Sequence, residues 1–250
     1  MKEKYDLIFG IGEACSCTSA LRAARLQFAS YPFDWLYGTD FIGRCTILAS
    51  KFNRFIKQSD LEDMHQTNQD THNLCEIYHN KHNDLTFNHD FAFGYSLDKT
   101  YPTVYEKYMR RISRLLESVN KSHRVLVVYI ETPFIGHEFV NDSMLIHGHE
   151  IIKRAFPNTE FDLLYFSNSI NKKQTVKVSD NVTRVYDDYK DKSAKLDYVV
   201  LEKILVNHLQ DFKLNVPLLV KIRRGMKRAL INAIPIGKIR HNLQRKYHVK

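Results

Sequence analysis

The sequence predicts an α/β fold: a mainly parallel sheet flanked by helices, with a nucleophile-type cysteine after the first strand and a basic amphipathic helix at the C-terminus. Three observations carry this expectation. Short apolar runs such as "DLIFG", "RVLVVYI" and "FDLLYF" read as buried strands. Amphipathic stretches of ten or more residues separate them, the alternation that parallel strands need for their crossovers. A glycine turn, "GIG", closes the first strand and leads straight into helical composition. At 250 residues and 44% hydrophobic content, with 15 Phe and 14 Tyr, the chain is long enough to bury a sizeable core.

Tyr5 to Gly12 forms the first strand, ended by Gly10 and Gly12. Ser16, Thr18 and Ser19 suit the start of a helix, which Leu21 and its alanine and arginine neighbours continue. Pro32 stops that helix, because it lacks a donor and forces Tyr31 into extended geometry, so "SYPFDWLYGTD" is an aromatic loop. Thr39 or Asp40 caps a second helix running through Ile56, with Ile42, Leu48, Phe52 and Phe55 on one face. Residues 59–83 are polar, carry His65, His72, His79 and His82, and read as loop plus a short helix.

In "NDLTFNHDFAF", Leu85, Phe87 and His89 fall on alternate positions of a strand. Val104 to Val119 spaces Val104, Tyr108, Ile112, Leu115, Leu116 and Val119 at helical intervals, and turns Arg110, Arg111 and Arg114 to other faces. The strand "RVLVVYIET", a helix from about Asp142 to before Pro157, the strand "FDLLYFS", a further strand "TRVYD" and the helix "AKLDYVVLEKILVNHL" complete the alternation. No internal repeat or low-complexity tract interrupts it.

The net charge of +9 is unevenly placed. Residues 221–250 hold ten Lys/Arg and no acid, which leaves 27 basic and 28 acidic residues in the rest of the chain. Residues 1–212 are thus expected to form a nearly neutral α/β catalytic-type domain, and 213–250 a basic amphipathic tail. Over 217–250 the tail suits an anionic membrane surface, or a terminal helix docked on the body. Nucleic acid is not expected, because most of the tail lacks interleaved aromatics. No run of about 18 apolar residues appears, and the N-terminus does not read as a signal, so the expected address is cytoplasmic, with the inner membrane face as a peripheral site. Cys15, Cys17, Cys45 and Cys75 show neither a disulfide framework nor paired zinc spacing, and read as free thiols with no metal.

Ligands of open α/β sheets gather where strands lead into helix N-termini, and Cys15 stands at such a place. Unpaired helical N–H groups favour a thiolate and an oxyanion there. Among twelve histidines, His89 is distinguished by "FNHDF", where it is flanked by aromatics and followed by Asp90. An imidazole takes a thiol proton and a carboxylate orients the ring; Asp90 and Asp34 of "PFDW" are both candidates for that second role. Trp35 is a candidate for substrate contact or core packing. "GHE" at 136–138 is weighed as a site, and "HGHE" at 147–150 is expected on a solvated helix face.

With "GIGEAC", "LR", "SYPFDW", "NHDF" and "KYMRRISRLL" in the same order from Tyr5 to about Phe166, the chain resembles a bacterial family catalogued as "putative papain-like cysteine peptidases". The resemblance implies that Cys15 is the nucleophile, His89 its partner, and Asp90 and Asp34 the associated acids, in a family often found with surface-polysaccharide genes. Two features depart from papain itself: an apolar strand precedes the cysteine, and "CGSCW" is absent. The first block looks more like small three-layer α/β esterases or transferases. A hydrolase passing an acyl group from a peptide-like substrate to Cys15 and then to water needs no cofactor. An acyltransferase in polysaccharide biosynthesis takes a coenzyme A thioester as donor and a saccharide hydroxyl as acceptor, with Arg110 or Arg111 near the donor phosphates. A non-catalytic saccharide-binding or assembly protein is the third alternative, and calls for a buried Cys15 with no histidine within hydrogen-bond reach.

Overall fold

The computed structural model describes residues 3–13, 15–69, 74–131, 140–169, 172–188, 198–215, 229–230 and 232–233. In chain order the elements are β1 (Glu3–Tyr5), β2 (Leu7–Gly10), α1 (Ser16–Ala23), β3 (Leu36–Gly38), α2 (Phe41–Ala49), β4 (Leu61–Gln69), β5 (Leu74–Asn80), β6 (Leu85–Ala92), α3 (Leu97–Asn120), β7 (Arg124–Ile130), α4 (Asp142–Ala155), β8 (Glu160–Asn168), β9 (Gln174–Ser179), β10 (Val182–Asp187), α5 (Tyr198–Leu209) and β11 (Phe212–Leu214).

The main sheet has the order β2-β7-β8-β10-β9, parallel throughout except for β9, which runs antiparallel to β10. Strands β7 and β8 are buried along nearly their whole length because both faces of the sheet are covered, and therefore read as continuous apolar runs. Alternate residues serve the two faces. Phe9, Val125, Val127, Tyr129, Leu163 and Tyr165 join Phe41, Cys45 and Leu48 of α2 and Leu145 and Ile152 of α4 in one core. Ile8, Leu126, Val128, Ile130, Leu164 and Phe166 join Cys17, Ala20 and Leu21 of α1 and Leu205 and Leu209 of α5 in the other. A small parallel pair, β1 with β11, brings residues 212–214 beside the start of the chain.

A second sheet, antiparallel and ordered β3-β6-β5-β4, is the main departure from the sequence reading. Residues 59–83, expected as loop and short helix, supply β4 and β5 after one 3-10 turn at Gln58–Asp60. Strand β4 is an edge strand with mostly exposed polar side chains, so pairing and not burial makes it a strand. Strand β5 does bury Cys75, Tyr78 and Asn80, but a register shift between Glu76 and Tyr78 breaks the two-residue period. The polar edge strand β9 escapes pattern reading for the same reason as β4.

Helix α2 starts where expected, with the Asp40 carboxylate accepting from Gly43 N at 2.6 Å. It ends at Ala49 and not near Ile56, since Lys51, Phe52 and Arg54 take left-handed backbone conformations. Phe52, Phe55 and Ile56 still reach the core, from turns. Only part of the "HGHE" stretch lies on a solvated face: His147 is exposed, but Gly148 packs against the Phe41 ring, and buried His149 is hydrogen bonded through Nε2 to the Phe161 carbonyl at 2.6 Å.

Among the described residues no helix is long and apolar enough to cross a membrane. The boundary expected at 212/213 falls within β11, while nearly all of the basic helix expected over 217–250, and "GHE" at 136–138, lie outside the described residues.

Candidate active site

Cys15 owes its position to the glycine turn and to one buried arginine. After β2 the chain stays beside β7 through Ile11 N to Val128 O, 2.9 Å, and then enters α1. A Cβ at Gly10 would stand 2.5 Å from Cys17 Sγ, and one at Gly12 would stand 2.8 Å from the backbone nitrogen of Ile130. Only glycine lets α1 close down on the sheet at these two points. Arg44 of α2 is fully buried and donates to the carbonyls of Ile11 (3.1 Å), Gly12 (2.9 Å), Leu36 (3.0 Å), Gly38 (2.8 Å) and Thr39 (3.5 Å). Its guanidinium fastens the cysteine turn to the chain that follows "PFDW". An arginine between apolar helix positions reads as solvated in sequence, and this role was not foreseen.

Cys15 is the N-cap residue of α1, and its carbonyl accepts from Ser19 N at 2.8 Å. Of the four cysteines it alone is partly exposed. Burial pushes the Cys17 thiol up to about 12 and raises that of Cys45 further still, and Cys75 is also buried. Such thiols are inert at neutral pH.

Asp34 is buried against the side of α1 that carries Cys15, Thr18 and Arg22, residues three to seven apart and so on one face. It accepts from Tyr31 N (2.9 Å), Gln27 Nε2 (3.0 Å) and Arg22 Nη2 (3.4 Å). Burial raises its carboxyl above the ordinary carboxylate range, against the pull of these donors and of the Thr18 hydroxyl. Trp35 is half-buried, with the Arg22 guanidinium 5.4 Å from its ring centroid.

His89 and Asp90 occupy β6. Asp90 is turned toward α3, where its carboxylate accepts from Tyr108 Oη at 2.8 Å and pairs with Lys107. His89 Nδ1 instead meets the side chain of Asn68, whose Nδ2 lies 3.1 Å away and also donates to the Asn88 carbonyl at 3.2 Å. Asn68 was missed because it lies in the polar stretch read as loop; extra residues in β4 between Asp63 and Thr67 and in β6 between Phe87 and Phe91 shift the register where this edge-strand residue reaches β6.

Tyr108 is fully buried, hydrogen bonds Asp90 and lies in the field of Asp34. Arg111 covers its ring at 5.2 Å. Arg110, one position earlier, is exposed and pairs with Glu106 at 3.9 Å.

Among the described residues no three His, Cys, Asp or Glu side chains form a metal-ligand group. Comparisons with curated proteins and with solved structures find no match. The profile of the family described as "Putative papain-like cysteine peptidase" matches residues 6–166, from β2 into β8, a stretch that holds Cys15, Asp34, His89 and Asp90. Since it spans well over half of the chain, the protein belongs to that family.

Proposed function

We propose that this protein is a thiol hydrolase that carries out acyl transfer through Cys15, with His89 moving the proton and water as the final acceptor. The observation that supports this most is the contrast among the cysteines: three are buried, while Cys15 is partly exposed at the N-terminus of α1. Helical N–H groups there favour the thiolate and the oxyanion that follows it.

In this reading the Cys15 proton passes to His89 and the sulfur attacks the acyl carbonyl carbon. The tetrahedral oxyanion collapses, the bond to the leaving group breaks, and His89 returns the proton to that group. Water then attacks the thioester, His89 takes the water proton, and the freed thiolate recovers it. Asn68 orients the ring through Nδ1, since the carboxylates of Asp90 and Asp34 are taken up by other donors. Proton uptake at Nε2 requires the proton on Nδ1, and so the Asn68 amide turned over to present Oδ1, with its bond to Asn88 given up.

The test is intact-protein mass spectrometry after mixing with p-nitrophenyl acetate. The wild type is expected to gain a transient acetyl adduct on Cys15 as p-nitrophenolate is released, and Cys15→Ala and His89→Ala to show neither. No adduct on the wild type, or the same adduct in Cys15→Ala, overturns the reading.

A further inference from the structure

Arg22 on α1, beside Trp35, and Arg111 on α3 lie in each other's field, and each leaves part of its guanidinium unused. Arg22 directs Nη2 to Ser30 Oγ at 2.9 Å and to Asp34 at 3.4 Å, while its buried Nε has no acceptor among the described residues. Arg111 lies over the Tyr108 ring, and its buried Nη1 has no acceptor there either. Arg114, three residues further along α3, donates to the Ser30 carbonyl at 2.8 Å, so both helices reach one loop residue. Burial disfavours the charge of Arg22, Asp34 favours it, and the proximity of Arg111 disfavours it further. Asp34 already serves three other donors, and Asp90 is taken by Lys107 and Tyr108. Positive charge is therefore in surplus, with two buried N–H groups awaiting an acceptor.

We propose that Arg22 and Arg111, with Trp35 as an adjoining flat surface, form a site for a phosphate-sized oxyanion carried by a phosphorylated ligand. Guanidinium forks match phosphate oxygens in charge and geometry. Cys15 lies seven residues before Arg22, two turns along the same side of α1 and about 10 Å away. A ligand anchored at the arginines thus extends toward the thiol. The anion site stands on its own geometry; joined to the proposed thiol chemistry, it assigns an acyl substrate that carries a phosphate group in preference to an unmodified peptide.

Trp35 is the only tryptophan, so its fluorescence reports on this site. The full chain is titrated with inorganic pyrophosphate while Trp35 emission is followed. A saturable change is expected, with affinity at least about tenfold weaker in Arg111→Met, intermediate in Arg111→Lys, and equal to wild type in Cys15→Ala. Melting temperatures of the unliganded variants show whether each is folded, and Arg111→Lys alone decides the matter if Arg111→Met is not. Silent emission in the wild type, or a change of equal affinity in the Arg111 variants, overturns the site and moves any anion binding elsewhere, such as residues 221–250. Because binding to Cys15→Ala is read separately, failure of the anion site and failure of the thiol reading are distinguishable.

Discussion

Arg44 and Asn68 are the side chains that the pattern of the sequence did not disclose, and each bears on one half of the candidate pair. All five N–H groups of Arg44 face backbone carbonyls, two of them in the cysteine turn. Arg44→Met strands those carbonyls in the core and is expected to cost about 3–5 kcal/mol in urea unfolding. Arg44→Lys should recover little of this, having three donors in place of five. Asn68→Leu should lower the rate of Cys15 alkylation on the order of tenfold by releasing the His89 ring. Asn68→Asp, which accepts from Nδ1–H without turning over, should retain it. Cys15, Asp34, Trp35 and His89 stand out as candidates in the sequence because glycines, a proline and aromatics mark their surroundings. Asn68 was not, because its reach to His89 depends on strand register, and register is not a local property.

Strands β7 and β8 were readable as continuous apolar runs because both their faces are buried, and helices α3, α4 and α5 from periodicity because each buries a stripe. Strands β4 and β9 owe their form to pairing at a sheet edge, which leaves little hydrophobic trace. Packing of α1 on the sheet gives a test at this scale. Gly12→Ala places a methyl 2.8 Å from the Ile130 nitrogen, in backbone that cannot swing aside. Chemical denaturation is expected to show a loss of about 1–3 kcal/mol, and Cys15 labelling should slow as the turn shifts. Wild-type stability and labelling in Gly12→Ala would mean that the turn does not set the cysteine.

Across the whole molecule, Cys15 follows β2 of the parallel sheet and His89 lies on β6 of the antiparallel one, and Arg44 bonds both the cysteine turn at Gly12 and strand β3 at Gly38. The sequence pattern foresaw one sheet, because the strands of the second are short, polar or bulged. Acid stability is a property at this scale. Burial works against the ionised forms of Asp6 and Asp187, yet their donors prevail and hold both carboxyls below the ordinary value: Arg124 N, His123 N and Asn215 for Asp6, and His208, Asp188 N and Lys173 for Asp187. Depressed folded-state values mean stabilisation that is complete above the unfolded-state value of about 3.9 and is lost as pH falls through the folded one. Asp34 and Glu131, both raised by burial, contribute with the opposite sign, favouring the fold in acid and less so as pH rises. Asp6→Asn is therefore expected to lose about 1 kcal/mol near neutral pH, with the gap to wild type closing below about pH 4. Urea midpoints across pH check it, and a gap that persists in acid would contradict the assignment.

The most direct test of the central claim is the pH dependence of iodoacetamide alkylation, read cysteine by cysteine by mass spectrometry in wild type and His89→Ala. Cys15 is predicted to label fast, with an apparent thiol pKa well below about 8.5, while Cys17, Cys45 and Cys75 lag, and to lose this advantage in His89→Ala. Labelling of Cys15 as slow as that of the buried cysteines, or unchanged by His89→Ala, would contradict a Cys15–His89 pair.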